Sequence, residues 1–212
     1  MQRGKLITIE GICGIGKTKC FNELKESDNL SDTLFNDEIN DKCTDEYNKR
    51  IFEILTSKKS RFFETGNPKM EALLICAKQT NDEENFVIPA LNNYKNVISD
   101  RGFDTVCITE GIKMSKKYGF SEKESIMKLY EYLSFFCIIP DKTILLTGNV
   151  DNSITRAEKR DEKKYTPDEI YIIKRTAYWF SFMAKKFKER FIVIDADLCD
   201  TKKEIIKILK EM

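Results

Sequence analysis

The chain predicts an α/β fold in which a parallel sheet lies between two layers of helices, and three observations carry that reading. Short apolar runs recur at 6–9, 97–99, 143–146 and 191–194, with segments of helical spacing between them. Strands that alternate with helices pair in parallel, because each helix crosses back over the sheet before the next strand begins. The first run also opens straight into a glycine-rich loop, the order that phosphate-binding α/β units use. A length of 212 residues predicts one domain, 1–212, large enough to bury its own core.

Taken in order, Leu6-Ile7-Thr8-Ile9 reads as a buried strand, and Lys19 to Leu24 carries apolar residues at helical spacing. A weak second strand is placed at 32–35. Tyr47, Ile51, Ile54 and Leu55 share one face of a helix over 45–57. Asn67-Pro68 punctuates the chain before a helix over 69–79, and a further helix runs from about Asp82 to Tyr94. Val97-Ile98-Ser99 is a short buried strand ending at Asp100-Arg101-Gly102. Helical spacing returns over 121–136, opened by the capping pair Ser121 and Glu124. Thr143–Leu146 is a strand, followed by a basic segment over 151–165 and a long helix from Pro167 to about Lys188. Phe191–Ile194 is the last strand and Thr201–Lys210 the closing helix.

Residues Gly11-Ile12-Cys13-Gly14-Ile15-Gly16-Lys17-Thr18 complete the pattern G-x-x-x-x-G-K-[ST] between a strand and a helix. Glycines let backbone N–H groups curl around phosphates, and the helix start adds partial positive charge. In that arrangement Lys17 reaches the terminal phosphates of a nucleoside triphosphate and the Thr18 hydroxyl binds Mg²⁺. Ligands of such sheets sit beyond the carboxyl ends of the strands, where Glu10, Asp100 and Thr147 also fall.

Composition narrows the chemistry. A net charge of +1, with 33% charged residues, gives neither a nucleic-acid footprint nor an acidic tail. No apolar run reaches membrane-spanning length, and the short lead into the first strand leaves no room for a signal peptide. The seven cysteines never form C-x-x-C, which points to a reducing, cytoplasmic setting rather than a disulfide framework or zinc site. The chain contains no histidine, so any general base is a carboxylate, a lysine or solvent. Phosphoryl transfer suits such a chain, since positioning and charge neutralisation do most of its catalysis.

Two further constellations accompany the loop. Asp100 at a strand end can hold Mg²⁺ through water, while the Arg101 guanidinium grips an incoming phosphate with paired hydrogen bonds. Arg156 and Arg160 share one helical face, with Asp161, Lys163 and Lys164 following. They read as a lid, about 151–165, that closes arginines over the moving phosphoryl group and excludes water.

Together these residues resemble the thymidylate kinase family of nucleoside monophosphate kinases. The resemblance rests on Ile7-Thr8-Ile9-Glu10-Gly11, on Ser99-Asp100-Arg101, and on the helix Glu71-Ala72-Leu73-Leu74-Ile75-Cys76-Ala77. Pro140-Asp141, the Arg156/Arg160 lid and Val193-Ile194-Asp195-Ala196 recur in the same order. It implies a three-layer P-loop kinase fold with a five-stranded parallel sheet, ATP and Mg²⁺ as donor and cofactor, a deoxynucleoside monophosphate acceptor, most simply dTMP, and a homodimer. It places Lys17, Asp100, Arg101, Arg156 and Arg160 in catalysis, and Ile75, Gln79, Arg101, Asp104 and Thr105 against the acceptor.

The departures from the family pattern cluster on the acceptor side. Cys13 stands where the family usually has an acidic loop residue, and Gly14 where one subgroup has an arginine. Ile75 takes the place of the base-stacking aromatic, Gln79 that of an arginine, and Gly102 that of the tyrosine after Asp-Arg. Ile108-Thr109-Glu110 replaces Ala-Tyr-Gln, and Asn36-Asp37-Glu38 follows the second strand instead of Arg-Glu-Pro. Arg50, Lys58, Lys59 and Arg61 are candidates to replace the missing phosphate-binding cations. Two other readings stay open. In a deoxynucleoside kinase Asp37 or Glu38 would deprotonate a 5′-hydroxyl, and a degenerate member would bind ATP without transferring phosphate. A guanine switch lacks its base-reading lysine near Gly148-Asn149-Val150-Asp151.

Overall fold

The computed structural model describes residues 3–38, 45–58, 60 and 62–211. Five strands, β1 (Leu6–Glu10), β2 (Leu34–Asn36), β3 (Val97–Asp100), β4 (Lys142–Thr147) and β5 (Phe191–Asp195), form one sheet in the order β2-β3-β1-β4-β5. Every neighbouring pair is parallel, with Ile9 opposite Asp100 on one side of β1 and Ile144 on the other. β1 is buried at all five positions, which is why it reads as an unbroken apolar run rather than an alternation.

The helices are α1 (Lys17–Lys25), α2 (Glu46–Thr56), α3 (Pro68–Asp82), α4 (Ile88–Asn92), α5 (Phe103–Tyr118), α6 (Glu122–Leu133), α7 (Val150–Arg160), α8 (Pro167–Lys186) and α9 (Thr201–Glu211). Side chains of adjacent strand residues point to opposite faces of the sheet. Ile144 accordingly joins Phe21 and Leu24 of α1 and Ile205 of α9 in one core, while Leu145 joins Ile108, Ile126 and Phe180 of α5, α6 and α8 in another. α3 passes through a wider, π-type turn at Glu83–Val87 into α4, so the helix expected from Asp82 to Tyr94 is built in joined pieces.

Two expectations need correction. The sequence pattern left 103–118 unassigned, and α5 fills it; nine of its residues are buried, among them Asp104, Glu110 and Lys113, so no apolar stripe stands out. Ser121 precedes α6 without making a side-chain cap. The reciprocal capping pair is instead Thr166 with Glu169, where α8 begins at Pro167.

Candidate functional site

The site starts from the register of the sheet. β1 and β3 end side by side, so the loop after Glu10 and the Asp100-Arg101 pair emerge together at one rim. Gly16 opens α1 in the left-handed region (φ 108°) with no side chain capping the helix start. The amides of that first turn are thereby left to an anion. Gly14 is constrained more tightly: its φ is +75°, and a Cβ there would stand 1.9 Å from the carbonyl oxygen of Ser153 in α7. No arginine fits at this position, which accounts for that departure from the family pattern.

Lys17 is buried, and its Nζ donates to the carbonyl of Ile12 at 2.8 Å. Burial, aided by the nearby Arg101 charge, pushes its ammonium down to about 7. The Thr18 hydroxyl donates to Asp100 Oδ2 at 3.4 Å, and Asp100 Oδ1 is buried without a partner among the described residues. Burial holds the Asp100 carboxyl above its ordinary range. An orphaned carboxylate oxygen beside a hydroxyl is a hard-oxygen donor set, which fits Mg²⁺.

Beyond the loop lies a cleft between the carboxyl ends of the strands and the helices α3, α5 and α8. Cys13, Ile75, Gln79, Asp100, Arg101 and Thr105 all line it. Arg101 sits in the left-handed region (φ 65°), which is uncommon for a residue with a Cβ. Its Nη1 donates to the Gly11 carbonyl at 3.2 Å and its Nε lies 2.9 Å from Glu38. The Thr105 hydroxyl donates to Glu10 at 2.5 Å, and burial with the neighbouring Asp104 pushes the Glu10 carboxyl up to about 8.

Asp104 is not brought to the cleft. It is wholly buried and takes two bonds from Arg190, at 2.6 and 2.7 Å, and one from Thr143. The expected contact with the acceptor is therefore replaced by a clasp between α5, β4 and the chain leading into β5. Of the candidate replacement cations, Arg50 pairs with Glu46 on an exposed face of α2, and neither it nor Lys58 lines the cleft. Lys59 and Arg61 lie outside the described residues. Asp37 lines the cleft, but its carboxylate is gripped by Lys25 at 2.6 and 2.7 Å.

Several lining residues escaped the sequence reading. Lys78 and Asp82 share one face of α3 with Ile75 and Gln79, and Glu83 continues it into the π-type turn, a spacing of three and four. Lys78 pairs with Asp82 at 2.6 Å. Glu83 accepts from Gln79 at 3.0 Å and from the Ile138 amide at 2.8 Å, and burial pushes its carboxyl up to about 7. Thr109 and Glu110 of α5 line the cleft as well.

The basic segment is largely the helix α7. Arg156 Nε donates to the Gly14 carbonyl at 3.0 Å, and its guanidinium lies 3.4 Å from Asp197 after β5. Arg156 is thus brought to the phosphate loop, whereas Arg160 donates to its neighbour Asp161 at 2.7 Å. No described helix is long and apolar enough to cross a membrane.

Comparison with known proteins agrees with this geometry. The thymidylate kinase family model matches residues 9–205. A probable thymidylate kinase of Methanosarcina acetivorans is 28% identical over 207 residues, covering 92% of this chain and 89% of that protein. One from Methanosarcina mazei is 28% identical, with 99% and 97% covered. A thymidylate kinase of Caldanaerobacter subterraneus subsp. tengcongensis is 24% identical, also with 99% and 97% covered.

Proposed function

Because the chain belongs to the thymidylate kinase family, we propose that it works as a single catalytic domain that transfers the γ-phosphoryl group of ATP to dTMP, giving the diphosphate. One observation carries the reading: the glycine loop and the Asp100-Arg101 pair open on the same cleft, with Thr18 and Asp100 in hydrogen-bond contact. A donor and an acceptor phosphate held there face each other, and such alignment lowers the barrier without covalent help from the protein.

The loop amides from Gly11 to Thr18 and the Lys17 ammonium hold the donor's phosphates. Thr18 and Asp100 hold Mg²⁺, which when bound neutralises charge on the phosphate oxygens. Arg101 orients the acceptor phosphate, and it must exchange Glu38 for that ligand. Ile75, Gln79 and Thr105 line the acceptor's end of the cleft. Arg156 and Arg160 stabilise charge on the transferring group; Arg156 already stands on the loop, and Arg160 joins it by leaving Asp161. Lys25 on Asp37 argues against a free base for a nucleoside hydroxyl, so the monophosphate reading is favoured.

The described cysteines are all free thiols, which supports a reducing cytoplasmic setting. Tyr132, Phe135 and Phe136 stand exposed where α6 ends and supply an apolar surface for a homodimer. The deciding experiment incubates the protein with labelled ATP, Mg²⁺ and either thymidine or dTMP. Labelled diphosphate from dTMP is expected; product from thymidine alone would overturn the reading.

A further inference from the structure

Cys76, Cys107 and Cys137 share one apolar cluster with Ala72, Phe103, Val106, Leu129 and Leu133. Free cysteines usually occupy such places as small apolar side chains. Cys107 fits that description: it is wholly buried, and burial with the nearby Asp104 pushes its thiol well above the ordinary range. Cys76 and Cys137 differ from it. Their sulfurs lie 3.6 Å apart, already in contact, although 61 residues separate them along the chain. Neither is sealed, at 7% and 5% exposure against 0% for Cys107.

Their surroundings make the two sulfurs unequal. Cys76 sits inside α3, whereas Cys137 stands in the turn that closes α6, its amide donating to the Leu133 carbonyl at 2.9 Å. The Thr80 hydroxyl, one turn beyond Cys76, donates to the Cys76 carbonyl at 2.9 Å and lies 3.8 Å from the Cys137 sulfur. The hydrogen bond from the Cys137 thiol draws the Cys76 thiol below its ordinary range, against the penalty of burial. That same bond, with burial and the Glu83 charge, holds the Cys137 thiol up. The thiolate is the nucleophile in sulfur chemistry, so Cys76 is the attacking sulfur and Cys137 the resolving one.

We propose that Cys76 and Cys137 form a reversible oxidation site for hydrogen peroxide, and that the disulfide between them slows turnover by displacing the acceptor wall of the cleft. The Cys76 thiolate attacks one peroxide oxygen, the O–O bond breaks, and the released hydroxide leaves as water with the proton that Cys76 gave up. Cys137 then attacks the sulfenic sulfur of Cys76. The S–O bond breaks, and a second hydroxide leaves as water with the Cys137 proton. Two electrons thereby pass from the sulfur pair to the peroxide, and a dithiol reductant returns them by exchange. A disulfide bond is about 2.0 Å long, so the sulfurs must close by roughly 1.5 Å. That movement draws α3 against the turn after α6. On α3, Ile75, Lys78 and Gln79 line the cleft around Cys76; next to Cys137, Ile138 lines it too, and its amide holds Glu83. A misplacement of about 1 Å in a positioning wall can cost about 10² in rate. The glycine loop, on the other wall, keeps its shape.

The test treats the reduced full chain with hydrogen peroxide, blocks the remaining thiols and maps tryptic peptides without reduction. Cys76 falls in the peptide 70–78 and Cys137 in 129–142, each the sole cysteine of its peptide. The two should appear joined, lighter than their sum by two hydrogens. The same sample should lose about tenfold or more in kcat/KM for dTMP while its ATP affinity holds, and dithiothreitol should reverse both changes. Cys137→Ala should keep the turnover of the reduced protein and withstand peroxide, whereas Cys107→Ala should stay as sensitive as the wild type. Absence of the joined peptide, a link from Cys76 to the Cys107 peptide 102–113 instead, or a loss of activity that persists in Cys137→Ala would overturn the proposal. The wild-type map does not depend on any variant folding. Only the effect on turnover rests on the dTMP kinase reading: if the reduced protein never turns over dTMP, that reading fails, while the peptide map still decides whether the sulfurs join.

Discussion

The two walls of the cleft are made of different materials. The wall that carries the glycine loop is main chain: its shape comes from Gly11, Gly14 and Gly16 at positive φ, and its charge from amides and one buried lysine. The opposite wall is side chain, a polar stripe of α3 facing a helix whose buried charges are paired with one another. A backbone site tolerates few sequences, because each substitution meets a forbidden dihedral or a carbonyl. A side-chain site can be rebuilt piece by piece so long as its buried charges stay compensated. That difference is why most of the departures from the family pattern, Cys13 and Gly14 excepted, fall outside the glycine loop.

Arg156 reaches the loop wall from α7 through the Gly14 carbonyl, so Arg156→Ala is the strongest attempt to break the comparison. It should lower kcat by about 10³ with little change in KM, because its contact with the transferring group strengthens as charge develops there. A change confined to KM, in initial-rate measurements, would return Arg156 to ground-state binding.

Asp104→Asn asks whether α5 is held from behind rather than from the cleft. It strips Arg190 of a buried partner, and about 3–5 kcal/mol of stability should vanish in urea unfolding. KM for dTMP should hold steady at a temperature where the variant stays folded. A raised KM with normal stability would restore Asp104 to the acceptor site.

Lys17 sharpens the comparison through pH. Its ammonium is pushed down to about 7 in the free protein, and a polyphosphate draws it back up. ATP binding should therefore take up a proton and weaken towards tenfold per pH unit just above 7. Calorimetry in two buffers of different ionisation enthalpy would detect it, and an affinity flat from pH 6.5 to about 8.5 would count against a charge-switching lysine.

The smallest effect belongs to Glu38→Gln. Arg101 would no longer have to leave a carboxylate, and a pair this exposed on one side contributes up to about 1 kcal/mol. KM for dTMP should fall by at most about fivefold. A rise instead would mean that Glu38 helps to hold the acceptor.

How much of this was legible before folding follows the same division. Loop, strands and closing helices announce themselves through local spacing, and β1, β3, β4 and β5 lie where the apolar runs place them. α5 did not. It buries Asp104 and Lys113 against partners far away in the chain and Glu110 against Lys113 itself, and it carries Gly111, where a Cβ would stand 2.5 Å from Ile126. Charges and a glycine inside a helix erase the amphipathic signal, since the compensation lies in Arg190, Glu71 and α6. Asp104 sits away from the cleft for the same reason: its nearness to Arg101 is local, but its partner Arg190 is not. Lys78 and Glu83, by contrast, follow the periodicity of α3 and of the turn that continues it.

The contact between Gly14 and Ser153 has one more consequence. With under 2 Å between the position of a missing methyl and a carbonyl of α7, the glycine turn has no room to expand on that side. Any widening as a guest enters must push α7 outward, and Arg156 travels with it. The turn and that helix therefore behave as a single lever, so that occupancy at one end is felt as a displacement at the other.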